Sequence, residues 1–278
     1  MNGVVFIDKA KDMTSRDVVN QVCKVFHTKK VGHTGTLDPL ATGVLVVCVG
    51  TYTKLVESLT SFSKTYVATM KLGVKTDTGD VTGNILKEED VSLSSEQIEK
   101  CFHSFPREYD QEVPIYSAVK VDGKKLYEYA REGKMVELPK RRVHIFDLKI
   151  LDIHDNEIEF ETTVSKGTYI RSLIEDIGTS LGTVATMSSL RRTKQGSISI
   201  DECVLLDDFS ENYPLKKLED LFDYPKYEIT DEEYRKVQNG NVLSLDSMEQ
   251  RLFLSYRGNV VAIYEKSAQG YKMIFKTI

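Results

Sequence analysis

The sequence predicts an α+β chain, with a large body over residues 1–224 and a small β-rich part over 225–278. Three patterns point there. Segments with apolar residues at three- and four-residue spacing alternate with short apolar or alternating runs that read as strands. From about Phe209 the texture turns acidic, with Pro214 and Pro225, as in a connector. Beyond it the chain breaks into short strand-like pieces between Gly and Asn turns. That tail is small for a free-standing unit, so it is expected to lean on the body.

In order, "GVVFID" (3–8) reads as a strand and "TSRDVVNQVCKVFH" (14–27) as an amphipathic helix, with apolar Val18, Val19, Val22, Val25 and Phe26. A glycine–threonine turn follows, then "GVLVVCVG" (43–50), apolar throughout and so a strand buried on both faces. "TKLVESLTSF" reads as a short helix and "KTYVATMKLG" as an alternating strand. "VKTDTGDVTG" (74–83) reads as a loop; its acidic spacing lacks the terminal Glu of a calcium loop. "SLSSEQIEKCFHSF" has the Ser-x-x-Gln pattern of a capped surface helix. "SAVKVDGKKLYEYAREGKMVELPKRR" (117–142) combines a hairpin-like turn, a short basic helix with tyrosines and a basic exit. "EIEFETTVSKGTYIRSLIEDIGTSLG" reads as strand, tight turn and helix. "RLFLSYRGN", "VVAIYEK" and "GYKMIFKTI" supply the strands of the tail.

Composition narrows the function classes. No apolar run approaches the ~18 residues that span a bilayer. The start lacks a signal-peptide pattern, so a cytoplasmic protein is expected. Four cysteines lie far apart with no CxxC pair, which reads as reduced thiols rather than a disulfide frame or zinc site. Cys23 and His27, four apart, are at most half of a metal site. The net charge of −5 is uneven. Residues 117–151 carry nine Lys/Arg against five Asp/Glu, and 201–250 carry five against fourteen. The acidity is local, and the first two-thirds can present a positive face to nucleic acid or an ordinary mosaic surface.

One stretch asks for a chemical explanation. "VGHTGTLDPLATGVLVV" (31–47) sets a single carboxylate, Asp38, in a turn rich in Gly and Thr that opens onto a buried strand. Pro39 biases Asp38 toward an extended backbone. Asp38 either satisfies turn amides, as Asp often does, or is aimed outward for catalysis. There is no second such carboxylate turn for a glycosidase pair, no His/Asp cluster for a metal, no Walker or GxGxxG motif and no nucleophile elbow. An Asp acting alone as nucleophile or base, near a cation, remains. Arg171, in "SKGTYIRSLIEDIG" at the first turn of a helix, is either a surface residue or a bidentate partner for it.

The blocks "NGVVFIDKAKDMTS", "VGHTGTLDPLATGVL", "SKTYVATMKLGVKTDTGD", "YSAVKVDGKKLYEYAREG", "SKGTYIRSLIEDIG" and "SLRRTKQG", in this order, resemble the bacterial tRNA pseudouridine synthase B (TruB) family over residues 2–200. The resemblance implies a pseudouridine synthase fold: a central mixed, largely antiparallel sheet flanked by helices, plus a small β-rich PUA-like C-terminal domain. It implies isomerisation of the T-loop uridine at position 55 of tRNA to pseudouridine, with no metal or organic cofactor.

Carried over residue by residue, Asp38 is the nucleophile and Arg171 its partner. Tyr66 stacks on the flipped base and can assist proton transfer. His33 fills the gap left in the RNA stack, Tyr169 contacts substrate, and Leu190 lies under the uracil. A strand tyrosine, a turn histidine and an apolar leucine are otherwise core or turn residues. Residues 114–139 match a mobile loop that orders over the T-arm. Lys9, Lys64, Lys120, Lys124, Lys125, Arg141, Arg142, Arg191 and Arg192 are candidates for phosphate contact, each otherwise a solvated charge. A monomer without obligatory protein partner is expected.

Two departures stand out. Ala10 replaces the usual proline and "DMTS" lacks the common glycine, loosening the first turn without touching a proposed catalytic group. The tail is short and acidic, which argues against strong phosphate binding there. Competing readings are a non-catalytic tRNA-binding or folding protein, a guide-RNA-dependent relative, and a glycosidase that cleaves without rejoining.

Overall fold

The computed structural model describes residues 1–277, so only Ile278 of the final predicted strand lies outside the described residues. The chain runs β1 (Gly3–Lys9), α1 (Ser15–Val25), β2 (Val31–His33), β3 (Thr42–Val49), α2 (Val56–Thr60), β4 (Lys64–Leu72) and the hairpin β5 (Val74–Thr76)–β6 (Ile85–Glu88). Next come α3 (Ser95–Ser104), β7 (Glu108–Glu112), β8 (Lys120–Val121), β9 (Lys124–Lys125) and α4 (Leu126–Arg131). The body continues with β10 (Lys140–His154), β11 (Glu157–Val164), α5 (Ile170–Ser180), β12 (Ala185–Gln195), β13 (Ile198–Ser199) and β14 (Val204–Leu205). The tail holds β15 (Lys226–Glu228), α6 (Asp231–Gln238), β16 (Arg251–Tyr256), β17 (Asn259–Ser267) and β18 (Gly270–Lys276).

A ten-stranded mixed sheet forms the body, its main path running β14-β1-β3-β12-β4-β11-β10-β7. Only β1–β14 and β3–β12 pair in parallel; the other pairings are antiparallel. Alternation explains why β3 reads as apolar throughout, and β1 beside it is covered in the same way. Val5, Ile7, Leu45, Val47 and Val49 face α1, which covers them with Val18, Val19, Val22 and Phe26. Val4, Phe6, Val44, Val46 and Cys48 face the opposite way, into a core shared with Phe253, Ile263 and Phe275 of the tail. The other half, β4, β11 and β12, packs on α3 and α5 through Met70, Phe102, Phe160, Leu173 and Ile177.

The two halves join through a short parallel pairing, Arg191 with Thr42 and Arg192 with Gly43. Gly43 has φ 102°, and a Cβ there would lie 2.2 Å from the Arg192 carbonyl oxygen. Any larger residue would prise the seam open. The turn that carries Asp38 lies immediately before this seam.

Helix starts follow their sequence signals. Thr14 with Asp17, and Ser94 with Gln97, form complete capping boxes. α1 ends at Val25 and His27 has φ 48°, so Cys23 and His27 do not share a continuous helical face.

Three expectations need correction. The segment 74–83 opens as a strand, because β5 pairs with β6 across the turn. The predicted connector is docked: Lys216 bridges to Val4, and Leu218, Leu221 and Phe222 fill the core beneath β1 and β3. Its leucines and phenylalanine outweigh its acidic texture. The tail also contains α6, capped by Thr230 and Glu233, which a strand-only reading overlooked. No helix is long and apolar enough to cross a membrane among the described residues.

Candidate active site

Asp38 lies in a β-turn closed by the Ala41 N–H donating to the Asp38 carbonyl at 3.0 Å, with Pro39 at the position that favours its fixed φ. Leu37, Leu40 and Ala41 are buried around it. The segment between β1 and α1 grips this turn. The Asp12 N–H donates to the Pro39 carbonyl at 2.9 Å, Lys9 Nζ reaches the same carbonyl at 3.4 Å, and Ser15 bonds Leu37. The first turn, with its Ala10 and "DMTS" departures, is therefore bonded to the main chain beside Asp38. Its residue Asp12 has φ 65°, in the left-handed region that favours glycine.

Arg171 is brought to Asp38 as the first turn of α5 packs against β12 and β4. Its Nε lies 2.9 Å from Asp38 Oδ2, and its Nη2 donates to Oδ1 at 3.4 Å. Two of the remaining three donors go to carbonyls: Nη1 with Thr78 at 2.8 Å and Nη2 with Tyr116 at 3.0 Å. The Arg171 side chain is 6% exposed and that of Asp38 33%. A buried guanidinium thus faces a half-open carboxylate, in the planar geometry that makes Arg a better partner than Lys. The carbonyls of Thr78 and Tyr116 were invisible in the sequence, since any residue supplies one.

The other expected site residues fall into two groups. Tyr66 and Leu190 are both buried, in one apolar cluster with Leu37, Leu40, Ala41 and Ile170. Adjacent strands bring them together: Leu190 pairs with Ala68, two residues from Tyr66. Tyr169 caps the start of α5, where its N–H donates to Gln111 Oε1 at 2.8 Å and its carbonyl accepts from Gln111 Nε2 at 3.2 Å. Gln111, 1% exposed, had no sequence signal. His33 closes β2 with its Nδ1 accepting from the Gly35 N–H at 3.3 Å. Burial, and then the charges of Arg192 and Arg16, lower its pKa, favouring a neutral ring.

Three of the nine phosphate candidates are corrected. Lys9 is fully buried, with Nζ bonded to the Ala10 and Met13 carbonyls at 2.8 and 2.7 Å. Lys64 is buried with Nζ on the Thr60 and Phe62 carbonyls at 2.8 and 2.7 Å. Arg192 is buried and bonds the carbonyls of Val44 and Gly35. These groups organise the interior around the turn and do not reach a phosphate in this arrangement. Burial lowers the pKa of both lysines to about 8.

Of the rest, Arg191 is held by Asp8 at 2.7 Å, and Arg142 by Glu108 at 2.9 Å and Asp110 at 3.6 Å. Lys124 pairs with Glu132, Lys125 leans on Tyr127, and Lys120 and Arg141 are exposed. Exposed Lys166, in the "SKGTY" block at the turn beside Arg141, is a further cation not among the nine expected from the sequence.

Cavity size does not track this chemistry. A cleft of about 500 Å³ between α3 and β10 is lined by Phe102, His103, Arg107 and Leu148, and by none of the expected site residues. A cavity of about 180 Å³ touches Arg171, together with Thr78, Tyr116 and Glu175. The charged pair beside an apolar tyrosine–leucine wall is the stronger signal, because reactive groups rather than volume define a site.

The model of the TruB family pseudouridylate synthase N-terminal domain matches residues 23–170, and that of the tRNA pseudouridylate synthase B C-terminal domain matches 171–232. The chain belongs to the TruB family. Two curated relatives, both named tRNA pseudouridine synthase B, are similar along nearly their whole length. The one from Fusobacterium nucleatum is 42% identical, covering 92% of each chain. The one from Lactobacillus acidophilus is 41% identical, covering 98% of this chain and 97% of that one. Among solved structures, a chain of a Cbf5–Nop10–Gar1 complex superposes with TM-score 0.73 at 26% identity, covering 98% of this chain and 83% of that one. The family's α+β architecture and this chain's mixed sheet agree, and the "GHTGTLDPLATG" block lies at the seam beside Arg171.

Proposed function

We infer that the protein isomerises a uridine of tRNA to pseudouridine, with Asp38 as nucleophile. The observation that carries this is the Asp38–Arg171 pair, 2.9 Å apart, on the TruB-family turn. The uridine must leave its stack before its glycosidic carbon can be reached. Asp38, the less buried partner, attacks the sugar or the base, or assists a glycal route; Arg171 holds both carboxylate oxygens, Oδ2 more closely than Oδ1, and counters their charge. The N-glycosidic bond breaks, the uracil turns, and its C5 bonds the sugar carbon as any bond to Asp38 breaks and frees the carboxylate. C5 then loses its proton, and the released ring nitrogen N1 takes one up, so the proton count is unchanged. Atoms are conserved overall, so no oxidant or external group enters. Tyr66 and Leu190 form the apolar wall against the base, with the phenol available for proton transfer. A neutral His33 ring is cheaply stripped of water, which suits insertion into the space the base vacates.

The finer reading follows the family. The target is the T-loop uridine at position 55, and Tyr169 contacts substrate. Residues 114–139 close over the T-arm, with Lys120, Lys124, Lys125 and Arg141 toward phosphates and Arg142 and Arg191 recruited from their carboxylate partners. Residues 225–278 serve as a small PUA-like unit behind a catalytic body of 1–224. The enzyme acts in the cytoplasm as a monomer without a guide RNA; on the last point alone, the name of the relatives near 40% identity, tRNA pseudouridine synthase B, favours the tRNA enzyme over a guide-dependent type.

Incubation of an isolated T-arm stem-loop transcript, followed by nucleoside analysis, tests the reading. Pseudouridine at unchanged mass is expected. Free uracil would indicate a glycosidase, a requirement for added RNA or protein the guide-dependent type, and binding without conversion a folding protein.

A further inference from the structure

We propose that Ser15 is a positioning residue for this reaction, its one hydroxyl holding the main chain before Asp38 in the reactive orientation. The inference rests on the reading of Asp38 as nucleophile. Ser15 Oγ accepts the Leu37 N–H at 2.9 Å and donates to the Leu37 carbonyl at 3.1 Å, both bonds buried. A single side chain thereby satisfies both polar groups of the residue joined to Asp38, as a paired strand would. Beyond Asp38, the Pro39 carbonyl is held by the Asp12 N–H, and the Asp38 carbonyl by Ala41. The turn is anchored on both sides of the carboxylate.

Ser15 can serve as an anchor because its own place is fixed. It opens α1, whose start is locked by the Thr14–Asp17 capping box, and that helix is packed onto β1 and β3. The cap itself is Thr14, so the Ser15 hydroxyl is not needed to start the helix. Arg171 alone leaves freedom to remove: its contact to Oδ2 is 2.9 Å, but that to Oδ1 is 3.4 Å, and the Asp38 side chain is a third exposed. Small displacements of a reacting group are costly in rate. The grip on Leu37 supplies the restraint that the ion pair does not.

The test compares full-length Ser15→Ala and Ser15→Cys with wild type in single-turnover conversion of tRNA at saturating enzyme, well below the unfolding midpoint. Filter binding and thermal unfolding are measured alongside. The alanine variant is expected to convert at least about tenfold more slowly, with tRNA affinity unchanged. The cysteine variant should fall between, since a thiol is a weak donor and acceptor. A folded alanine variant with the wild-type rate overturns the proposal. If alanine prevents folding, the cysteine variant decides: a reduced rate supports the proposal and an unchanged rate overturns it. Asp38→Asn, run in parallel, separates the two claims. If it still forms pseudouridine, the nucleophile reading fails; if it is inactive while Ser15→Ala is fully active, only the anchor fails.

Discussion

Asp12 shows how one backbone angle ties sequence to site. Its φ of 65° lies in the left-handed region, where an L side chain costs up to about 1–2 kcal/mol and Asp somewhat less. Glycine removes that strain but raises the entropy of the unfolded chain. Asp12→Gly should therefore raise stability by about 0.5 kcal/mol in urea unfolding, with the rate unchanged; a loss of stability would contradict the strain. Arg171→Lys belongs to the same scale. Lysine cannot serve Asp38, Thr78 and Tyr116 at once, so conversion should fall about 100-fold, measured on tRNA at saturation. The Asp38–Arg171 pairing was legible because each residue sits in a contiguous motif. Ser15 and Gln111 were not, because they act on main-chain groups that carry no residue identity.

At the scale of elements, β3 was legible from its unbroken apolar run as a strand covered on both faces, and β1, read only as a strand, is covered in the same way. Burial of individual cations was not legible. Lys64 opens an ordinary alternating strand, and only the Thr60 and Phe62 carbonyls around its ammonium show that it is interior. Burial lowers its pKa from 10.5 to about 8, so between those pH values the unfolded chain binds more protons than the folded one. The cost of burying the charge is fully present below pH 8, and stability from this site rises as pH increases toward 10.5. Wild type should therefore gain stability relative to Lys64→Met between pH 8 and 10, read as urea midpoints at each pH. A pH-independent difference would show that the lysine is not titrating there. The helix α6 was hidden among tail strands because it is short and strongly polar.

Over the whole molecule, the tail is part of the body's core rather than an appendage. Phe275 packs edge-on to Tyr52 at 5.1 Å, within the cluster beneath β1 and β3. Phe275→Ala should cost about 3 kcal/mol in a single cooperative unfolding transition; separate transitions for body and tail would contradict that shared core. The acidic connector concealed this, since its few apolar residues decide its packing while its charges dominate its composition. The turn beside the β3–β12 seam holds Asp38 against Arg171. Asp38→Asn keeps the side chain's size and its place beside Arg171 while removing its negative charge. Measured on a T-arm transcript, this variant should bind RNA as wild type does and form pseudouridine more than about a thousandfold more slowly. Conversion near the wild-type rate would remove Asp38 from the chemistry.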